Sequence, residues 1–342
     1  MEALLVDEWL EDVRSAPSTA VLDEASLSVV RQSVRDVGAA QQLSTETVEA
    51  MVLAATELGR NQLRHAVGGR VAVRGISRAG VPGLEIVAAD RGEGIANPAA
   101  ALAGAPRVTG TLGVGLAAVR DLASEVDFDV RLGEGTLVRA RRFAAGVPRR
   151  RQVGVFGRAI PGETASGDHA CFVRNGDQLV LGVCDGLGHG MLARQASSVA
   201  LRAFHDHASA SPVGILEACN AALHRTRGAV MAVARLLEAA EAIEVASVGN
   251  IGVQAVGPRQ VQRFGGSSFV LGTPPQRVKK IFEERAPLPE GHAVVLFSDG
   301  ISSRLTIEND LMLLREHPIV IAATIVREHA RAEDDVLVLV AR

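Results

Sequence analysis

The hydrophobic positions in the first part of the chain follow two different periods. The helical period of 3.6 residues occupies about residues 23–38, 46–66 and 114–125. Alternating apolar residues, typical of strands, occupy 70–77, 84–89 and 136–143. Helices and strands of these lengths predict a compact α+β unit.

The second part of the chain predicts a different α+β unit, because its strands and helices come in runs. The patterns predict strands at 152–160, 228–238, 242–248, 251–256, 292–298 and 335–341, helices at 190–209 and 213–226, and a hairpin with an Asn-Gly turn in HACFVRNGDQLVLGVCD. Between the units, RARRFAAGVPRRRQ (139–152) carries six arginines and a proline. We interpret that segment as a solvated linker, with a boundary near residue 147 that divides the chain into domains 1–146 and 147–342.

The composition of the chain limits the classes of function that we consider. With 342 residues, 47% of them hydrophobic, the chain can bury two cores. A net charge of -3 argues against a nucleic-acid partner. The acidic start MEALLVDEWLEDVR lacks the basic region of a signal peptide, and no apolar run reaches the roughly 18 residues of a membrane span. We therefore expect a cytoplasmic protein. We expect its three cysteines to be core residues.

Acidic residues border apolar strands at several places in the second unit. They are Asp168, Asp185, Asp299 and the neighbours Asp334 and Asp335. A carboxylate beside a buried strand loses solvation and is tolerated when it is paired or bound to a cation. Hard cations such as Mg²⁺ or Mn²⁺ select oxygen ligands, and Gly186 would add its carbonyl. The plain alternative is that each aspartate caps a helix or turn.

The motifs SGDHA, VCDGLGHG, LFSDG and DDVLVLV resemble those of PP2C-type metal-dependent serine/threonine phosphatases, in the SpoIIE-like group that includes RsbX. The resemblance implies a β-sandwich flanked by helices with two Mn²⁺ or Mg²⁺ ions bridged by the catalytic Asp185, and attack of an activated water on phosphoserine or phosphothreonine. By position the implied ligands are Asp168, Asp185, Gly186, Asp299 and Asp334, with Asp335 as the alternative to Asp334. His189 follows the DGLG turn and is either a donor to the substrate phosphate or a turn-packing residue.

The first unit contains three further motifs: TELGRNQLRHA (56–66), DRGEGI (90–95) and TGTLGVGLAAV (109–119). Glu57 and Asn61 are four residues apart on a predicted helix, so they project from one face. Asp90 ends a strand and is placed to accept a hydrogen bond from an adenine amino group beside Gly92 and Gly94. The glycines of the third motif, Gly110, Gly113 and Gly115, would offer backbone N–H groups to phosphates. The plain alternative is a solvated helix face and a tight turn.

These three motifs resemble the conserved boxes of the GHKL ATPase fold, and most closely the RsbT-like serine kinases. The resemblance implies ATP with Mg²⁺ as cofactor, Asn61 as a Mg²⁺ ligand and Glu57 as the general base toward a serine or threonine hydroxyl. It also implies that Asp90 reads adenine and that 104–113 is the ATP lid.

Together, the two resemblances predict a two-domain α+β chain, a GHKL (Bergerat-type) α/β sandwich followed by a PP2C-like β-sandwich flanked by helices. They imply opposing reactions on STAS-domain proteins of a stressosome or sigma-factor pathway. Phosphorylated STAS-domain proteins are thus the expected partners, with sigma-factor regulators as further candidates. The open alternative is a phosphatase whose N-terminal unit binds only nucleotide or a partner, as anti-sigma factors do. A scaffold without catalysis in either half would leave the acidic positions unexplained.

Overall fold

The computed structural model describes residues 9–10, 17–104, 112–272 and 280–342. The chain separates into two compact units, Met1–Val153 and Gly154–Arg342. Within the described part of the chain, every helix is too short or too polar to cross a lipid bilayer.

The N-terminal unit is an antiparallel sheet with helices packed on it. Its strands are β1 (Ser18–Val21), β2 (Ala66–Arg78), β3 (Val81–Gly92), β4 (Glu125–Leu132) and β5 (Gly135–Phe143), and its helices are α1 (Glu24–Ala40), α2 (Thr45–His65), α3 (Pro98–Ala103) and α4 (Leu112–Leu122). The strand order is β1-β2-β3-β5-β4. Asp23 caps α1 and Ser44 caps α2, each accepting a backbone hydrogen bond from the first turn of its helix. The helices at 23–38, 46–66 and 114–125 are confirmed as α1, α2 and α4.

Charged side chains are buried between neighbouring strands of this sheet. Arg141 in β5 is 5% exposed, and its guanidinium donates to Glu85 in β3 (2.6 Å) and to Asp127 in β4 (2.6 Å). Burial alone would lower the pKa of Arg141, but Asp127 and Glu85 reverse that effect and raise it. The interpretation of 139–152 as a solvated linker is therefore wrong for Arg139 and Arg141, which belong to β5 and are buried.

Breaking this network is expected to destabilise the N-terminal unit. Arg141→Met removes the cation shared by Glu85 and Asp127, and an uncompensated buried charge costs about 3–5 kcal/mol. Arg149→Met, at an exposed position of the same arginine-rich segment, should change stability by less than about 0.5 kcal/mol. Urea unfolding followed by fluorescence of Trp9, the single tryptophan, measures both. Equal midpoints for the two variants would contradict a stabilising network.

The described residues of the C-terminal unit form two sheets and three α-helices. Its strands are β6 (Val153–Arg158), which begins at the boundary, β7 (Asp168–Asn175), β8 (Gln178–Gly186), β9 (Ala229–Leu237), β10 (Ala242–Val248), β11 (Gly252–Gly257), β12 (Gln260–Phe264), β13 (Glu283–Pro287), β14 (Ala293–Phe297) and β15 (Val336–Ala341). Its helices are α5 (Gly190–Asp206), α6 (Pro212–Ala222) and α7 (Pro318–His329).

The two sheets of this unit pack face to face as the predicted β-sandwich. One has the order β6-β15-β14-β11-β12 and the other β13-β10-β9-β8-β7, and β15 and β14 contact β7 and β8 across the interface. The helices α5 and α6 cover the second sheet with a core that includes Phe204, Ile215 and Leu216, while α7 packs on β15. All three cysteines are buried thiols in the core, as predicted.

Candidate functional site

Two of the predicted metal ligands face each other across one hairpin. Asp168 is the first residue of β7, Asp185 is the next-to-last residue of β8, and the antiparallel register places them directly opposite each other. Residues directly opposite in such a pair point to the same face with Cβ atoms about 5 Å apart. Asp168 is only 1% exposed, so this end of the hairpin holds two carboxylates in a poorly solvated position.

The other two aspartates lie at the ends of neighbouring strands and interact electrostatically with Asp185. Asp299 lies just after β14 and Asp334 just before β15, and those strands pair antiparallel. Burial first, and then the charges of Asp299 and Asp334, raise the pKa of Asp185 to about 7. The four carboxylates therefore repel one another within one electrostatic environment.

The remaining pKa shifts have the same origin. Burial and then the charge of Asp185 raise the pKa of Asp168 well above its ordinary value, although a hydrogen bond from Ser298 acts in the opposite direction. Burial and then Asp299 also raise the pKa of Asp334, and only Arg331 opposes this with positive charge. At these carboxylates, burial and mutual repulsion therefore outweigh the contacts that favour the charged form.

Asp335 has a different role from its neighbour. Its Oδ1 accepts a hydrogen bond from the backbone N–H of Ile160 (2.7 Å), and its Oδ2 accepts one from Gly167 (2.6 Å). Asp335 is 5% exposed. Both of its oxygens therefore anchor the segment 160–167, which leads into Asp168, whereas the carboxylate of Asp334 faces the charge of Asp299.

The glycine after Asp185 allows a helix to approach the acidic cluster closely. The N–H of Gly186 donates to the carbonyl of Gly167 (3.2 Å). A Cβ on Gly186 would overlap the carbonyl oxygen of Ala193 in α5, so a larger residue would push this helix away. His189 lies at the N-terminus of α5 and pairs with Glu163 through its Nδ1 (2.7 Å).

Sequence reasoning missed two polar residues near the cluster. Asn250 donates through its Nδ2 to Oδ2 of Asp299 (2.8 Å) and so orients that carboxylate. It follows the end of β10, the same strand-end position that singled out the aspartates, so the signal was present. Glu163, the partner of His189, lies on a segment without periodicity and gave no signal.

The residues present fit divalent cations. In the described ranges, no three His, Cys, Asp or Glu side chains are already arranged as a closed metal-binding group. The aspartates instead converge from four strand ends, with raised pKa values at Asp168, Asp185 and Asp334. Mg²⁺ or Mn²⁺ would relieve the mutual repulsion of these buried carboxylate oxygens.

The raised pKa values predict an unusual pH dependence of stability without metal. A folded-state pKa of about 7 for Asp185, against an ordinary value near 3.8, favours folding below about pH 4. That stability is lost as pH rises through about 7. In EDTA, the melting temperature of the C-terminal unit should fall between pH 5 and 8, and Mn²⁺ should restore it at pH 8.

Asp185→Asn should flatten that pH dependence and weaken the response to Mn²⁺. Calorimetry follows both units, while fluorescence of Trp9 follows the N-terminal unit alone. The C-terminal transition can therefore be assigned. A melting temperature that rises from pH 5 to 8 in EDTA, with no difference between the variant and the unaltered protein, would contradict the repulsive cluster.

In the N-terminal unit, three predicted residues come together between α2 and α4. A Cβ on Gly115 in α4 would lie 3.0 Å from Oε2 of Glu57 and 3.5 Å from Nδ2 of Asn61, both in α2. The absent side chain therefore lets the two helices meet at these polar groups. Glu57 also pairs with Arg60 at 3.4 Å, with both side chains partly exposed.

Asp90 lies near the end of β3, opposite Thr136 of β5. Burial raises the pKa of Asp90 to about 7, and a backbone hydrogen bond from Thr136 opposes that shift. Gly92 approaches the Asp90 carboxyl, since a Cβ there would lie 3.3 Å from its Oδ1. Gly94 follows β3 with a φ of +74°.

The predicted phosphate loop is described only in part. Gly113 lies in the first turn of α4, whereas Gly110 and most of the predicted lid 104–113 lie outside the described residues.

Comparison with known proteins gives a family to each part of the chain. Residues 20–142 match the histidine kinase-like ATPase domain family, and residues 175–342 match the stage II sporulation protein E (SpoIIE) family. The serine/threonine-protein kinase RsbT of Bacillus subtilis (strain 168) is 30% identical over 125 residues, which are 36% of this chain and 92% of RsbT. The phosphoserine phosphatase RsbX of the same organism is 26% identical over 148 residues, 41% of this chain and 70% of RsbX.

Solved structures support the same assignment. One solved chain comes from the bacterial stressosome, described as a modular system that has been adapted to control secondary messenger signaling. It is 30% identical to this chain, with a TM-score of 0.52. The match covers 57% of this chain and all of the solved chain. RsbX in complex with magnesium shares the fold at 22% identity and a TM-score of 0.50, with coverage of 57% and 96%. Both resemblances noted in the sequence are confirmed. Residues 20–142 therefore form a histidine kinase-like ATPase domain related to RsbT, and residues 175–342 form a SpoIIE-type domain of the PP2C serine/threonine phosphatases.

Proposed function

We propose that this chain is a bifunctional regulator of a partner-switching pathway that acts on STAS-domain proteins. Its C-terminal unit removes phosphate from phosphoserine or phosphothreonine, and its N-terminal unit binds ATP with Mg²⁺ and phosphorylates such proteins. The convergence of Asp168, Asp185, Asp299 and Asp334, with burial and mutual repulsion raising the pKa of Asp185 to about 7, is the observation that carries the proposal.

In the phosphatase unit, the four aspartates and the carbonyl of Gly186 would hold two Mn²⁺ or Mg²⁺ ions. When bound, such ions supply a nucleophile from water at neutral pH and neutralise the phosphate charge. Asp185 is opposite Asp168 in the β7–β8 register and is influenced electrostatically by Asp299 and Asp334, so it would hold the cations together with these residues.

Two other residues hold this arrangement in position. Asn250 fixes the carboxylate of Asp299, and Asp335 ties down the segment before Asp168. We therefore assign Asp334 as the metal ligand of the DD pair and Asp335 as a positioning residue.

In the N-terminal unit, Asn61 would coordinate the Mg²⁺ of ATP, and Glu57 would accept the proton of the substrate hydroxyl. Asp90 would accept a hydrogen bond from the adenine amino group, and this contact favours its ionised form. Gly92 and Gly94 leave room for the base, and Gly110, Gly113 and Gly115 would present backbone N–H groups to the phosphates.

The second candidate function keeps the phosphatase and limits the N-terminal unit to nucleotide or partner binding. The contact between the Glu57 carboxylate and Arg60 at 3.4 Å favours this alternative, because the Arg60 guanidinium competes with a substrate hydroxyl for the same carboxylate oxygens. The two candidates differ in whether phosphate is transferred from ATP.

The phosphatase half of the proposal is tested with a serine-phosphorylated STAS-domain protein encoded beside this gene. Phosphate release should require Mn²⁺ or Mg²⁺ and stop in EDTA. Release that continues undiminished after exhaustive chelation would overturn the metal-dependent mechanism.

A further inference from the structure

Exposed apolar side chains surround the turn that follows Asp185. Leu187 is 37% exposed, Met191 43% and Leu192 53%. Leu187 lies in the turn itself, and the other two belong to the first turn of α5. Scattered exposed apolar residues are common, but three within six positions beside a catalytic centre form a local apolar surface.

An arginine lies over the same turn. The Nη1 of Arg227 is 2.9 Å from the position that a Cβ of Gly188 would occupy. The segment carrying Arg227 is fixed in place, because the N–H of Leu187 donates to the carbonyl of Gly228 (3.1 Å) and Gly186 pairs with Ala229.

The β8–β9 register places this arginine at the edge of the acidic cluster. Asp185 is opposite Val230, and Arg227 precedes Val230 by three residues. At about 3.3 Å per residue, its backbone lies within roughly 10 Å of that pair, a distance that an arginine side chain largely spans.

The guanidinium of Arg227 is available for a ligand. It is exposed, and among the described residues no hydrogen bond or ion pair engages it. The nearby carboxylate of Glu163 pairs with His189 instead, at 2.7 Å. Arg227 is therefore a free cation, as far as the described residues extend, beside a centre built from carboxylates. The cations proposed for that centre would contact the reacting phosphate, and Arg227 offers a further positive partner at its edge.

We propose that Arg227 and the apolar residues Leu187, Met191 and Leu192 form the surface on which a folded phosphoprotein docks at the phosphatase centre. This inference rests on the proposed phosphatase function. Arg227 positions the phosphate through its planar pair of donors, which match phosphate geometry better than a lysine ammonium does. The three apolar residues contact apolar surface of the phosphoprotein beside its phosphorylated residue. Small phosphate esters do not reach them.

The experiment compares a serine-phosphorylated STAS-domain protein with p-nitrophenyl phosphate as substrates of the full chain in Mn²⁺. Arg227→Gln should raise KM about tenfold for both substrates with a smaller change in kcat, and Arg227→Lys should recover part of the loss. Met191→Ser with Leu192→Ser should lower kcat/KM about tenfold for the phosphoprotein and leave p-nitrophenyl phosphate hydrolysis unchanged.

Matched controls come from the same unit. Arg225→Gln removes the same charge from an exposed neighbour of Arg227. Leu311→Ser with Met312→Ser alters a comparably exposed apolar pair. That pair lies near Glu308, whose carbonyl accepts from Arg259 at the end of the β11–β12 hairpin remote from Asn250.

Each outcome decides one question. Kinetics of Arg227→Gln that equal those of Arg225→Gln overturn the phosphate contact. Equal loss on both substrates, or no loss, for the Met191 and Leu192 variant overturns the docking surface. Failure of the unaltered chain to dephosphorylate the STAS-domain protein, while it hydrolyses p-nitrophenyl phosphate, overturns the protein-substrate part of the proposed function instead.

Discussion

Asp185→Asn is expected to lower kcat for dephosphorylation of a STAS-domain phosphoprotein by about a thousandfold, or on the order of 4 kcal/mol of transition-state stabilisation. Asparagine keeps the shape of the side chain and removes the charge that is opposite Asp168 and faces Asp299. The proposed cation site would lose one of its carboxylate ligands. Phosphate release in saturating Mn²⁺ measures the effect.

The matched control for this variant lies on the same hairpin. Asp177→Asn removes one carboxylate from the exposed turn at the opposite end of β7 and β8, and it should retain full activity. Calorimetry separates a catalytic loss from misfolding, because Asp185→Asn relieves repulsion and should fold at least as stably without metal. Activity of Asp185→Asn equal to that of Asp177→Asn would refute the metal assignment.

The sequence predicted the helices and strands in which apolar side chains face the core and polar side chains face solvent. The strand β4 was missed because its residues alternate Val126, Phe128 and Val130 with acidic residues, which are depleted in strands. The structure buries Glu125 and Asp127 against arginines of β2 and β5. Single-sequence patterns do not reveal such pairing, because the partners are distant in sequence.

Part of each candidate site could be predicted from the sequence, for a physical reason. An aspartate at a buried strand end costs free energy of solvation. Because this pattern occurs several times in the second unit, it indicated a shared cation site. The different roles of Asp334 and Asp335 could not be predicted from the sequence. They depend on the fold, which brings the backbone N–H groups of Ile160 and Gly167 to the carboxylate of Asp335. Arg227 gave no signal because its position follows from the β8–β9 register.

Transfer of phosphate from ATP is expected from protein that carries Asp185→Asn and Asp299→Asn, since the phosphatase then no longer removes the label. With γ-labelled ATP, Mg²⁺ and an unphosphorylated STAS-domain protein, label should accumulate on the STAS-domain protein. Adding Asn61→Ala should reduce the initial rate at least about a hundredfold, because the ligand proposed for Mg²⁺ is lost. Glu57→Gln should reduce transfer similarly while leaving ATP affinity within a few fold.

The matched control for Glu57→Gln lies on the same helix. Glu49→Gln removes a carboxylate from an exposed position of α2, about two turns before Glu57, where it pairs with Arg35 of α1 at 3.0 Å. Because this pair is exposed and distant from Asn61, the variant should transfer phosphate at the unaltered rate. ATP binding is followed separately by titration, so that a lost ligand and a lost base are distinguished.

One combination of results would reject the kinase half of the proposal. In it, ATP binds and Asn61→Ala abolishes that binding, yet no label reaches the STAS-domain protein. The N-terminal unit would then be a nucleotide-binding module attached to a phosphatase. Asn61 and Asp90 would still recognise ATP, whereas Glu57, paired with Arg60, would not act as a base.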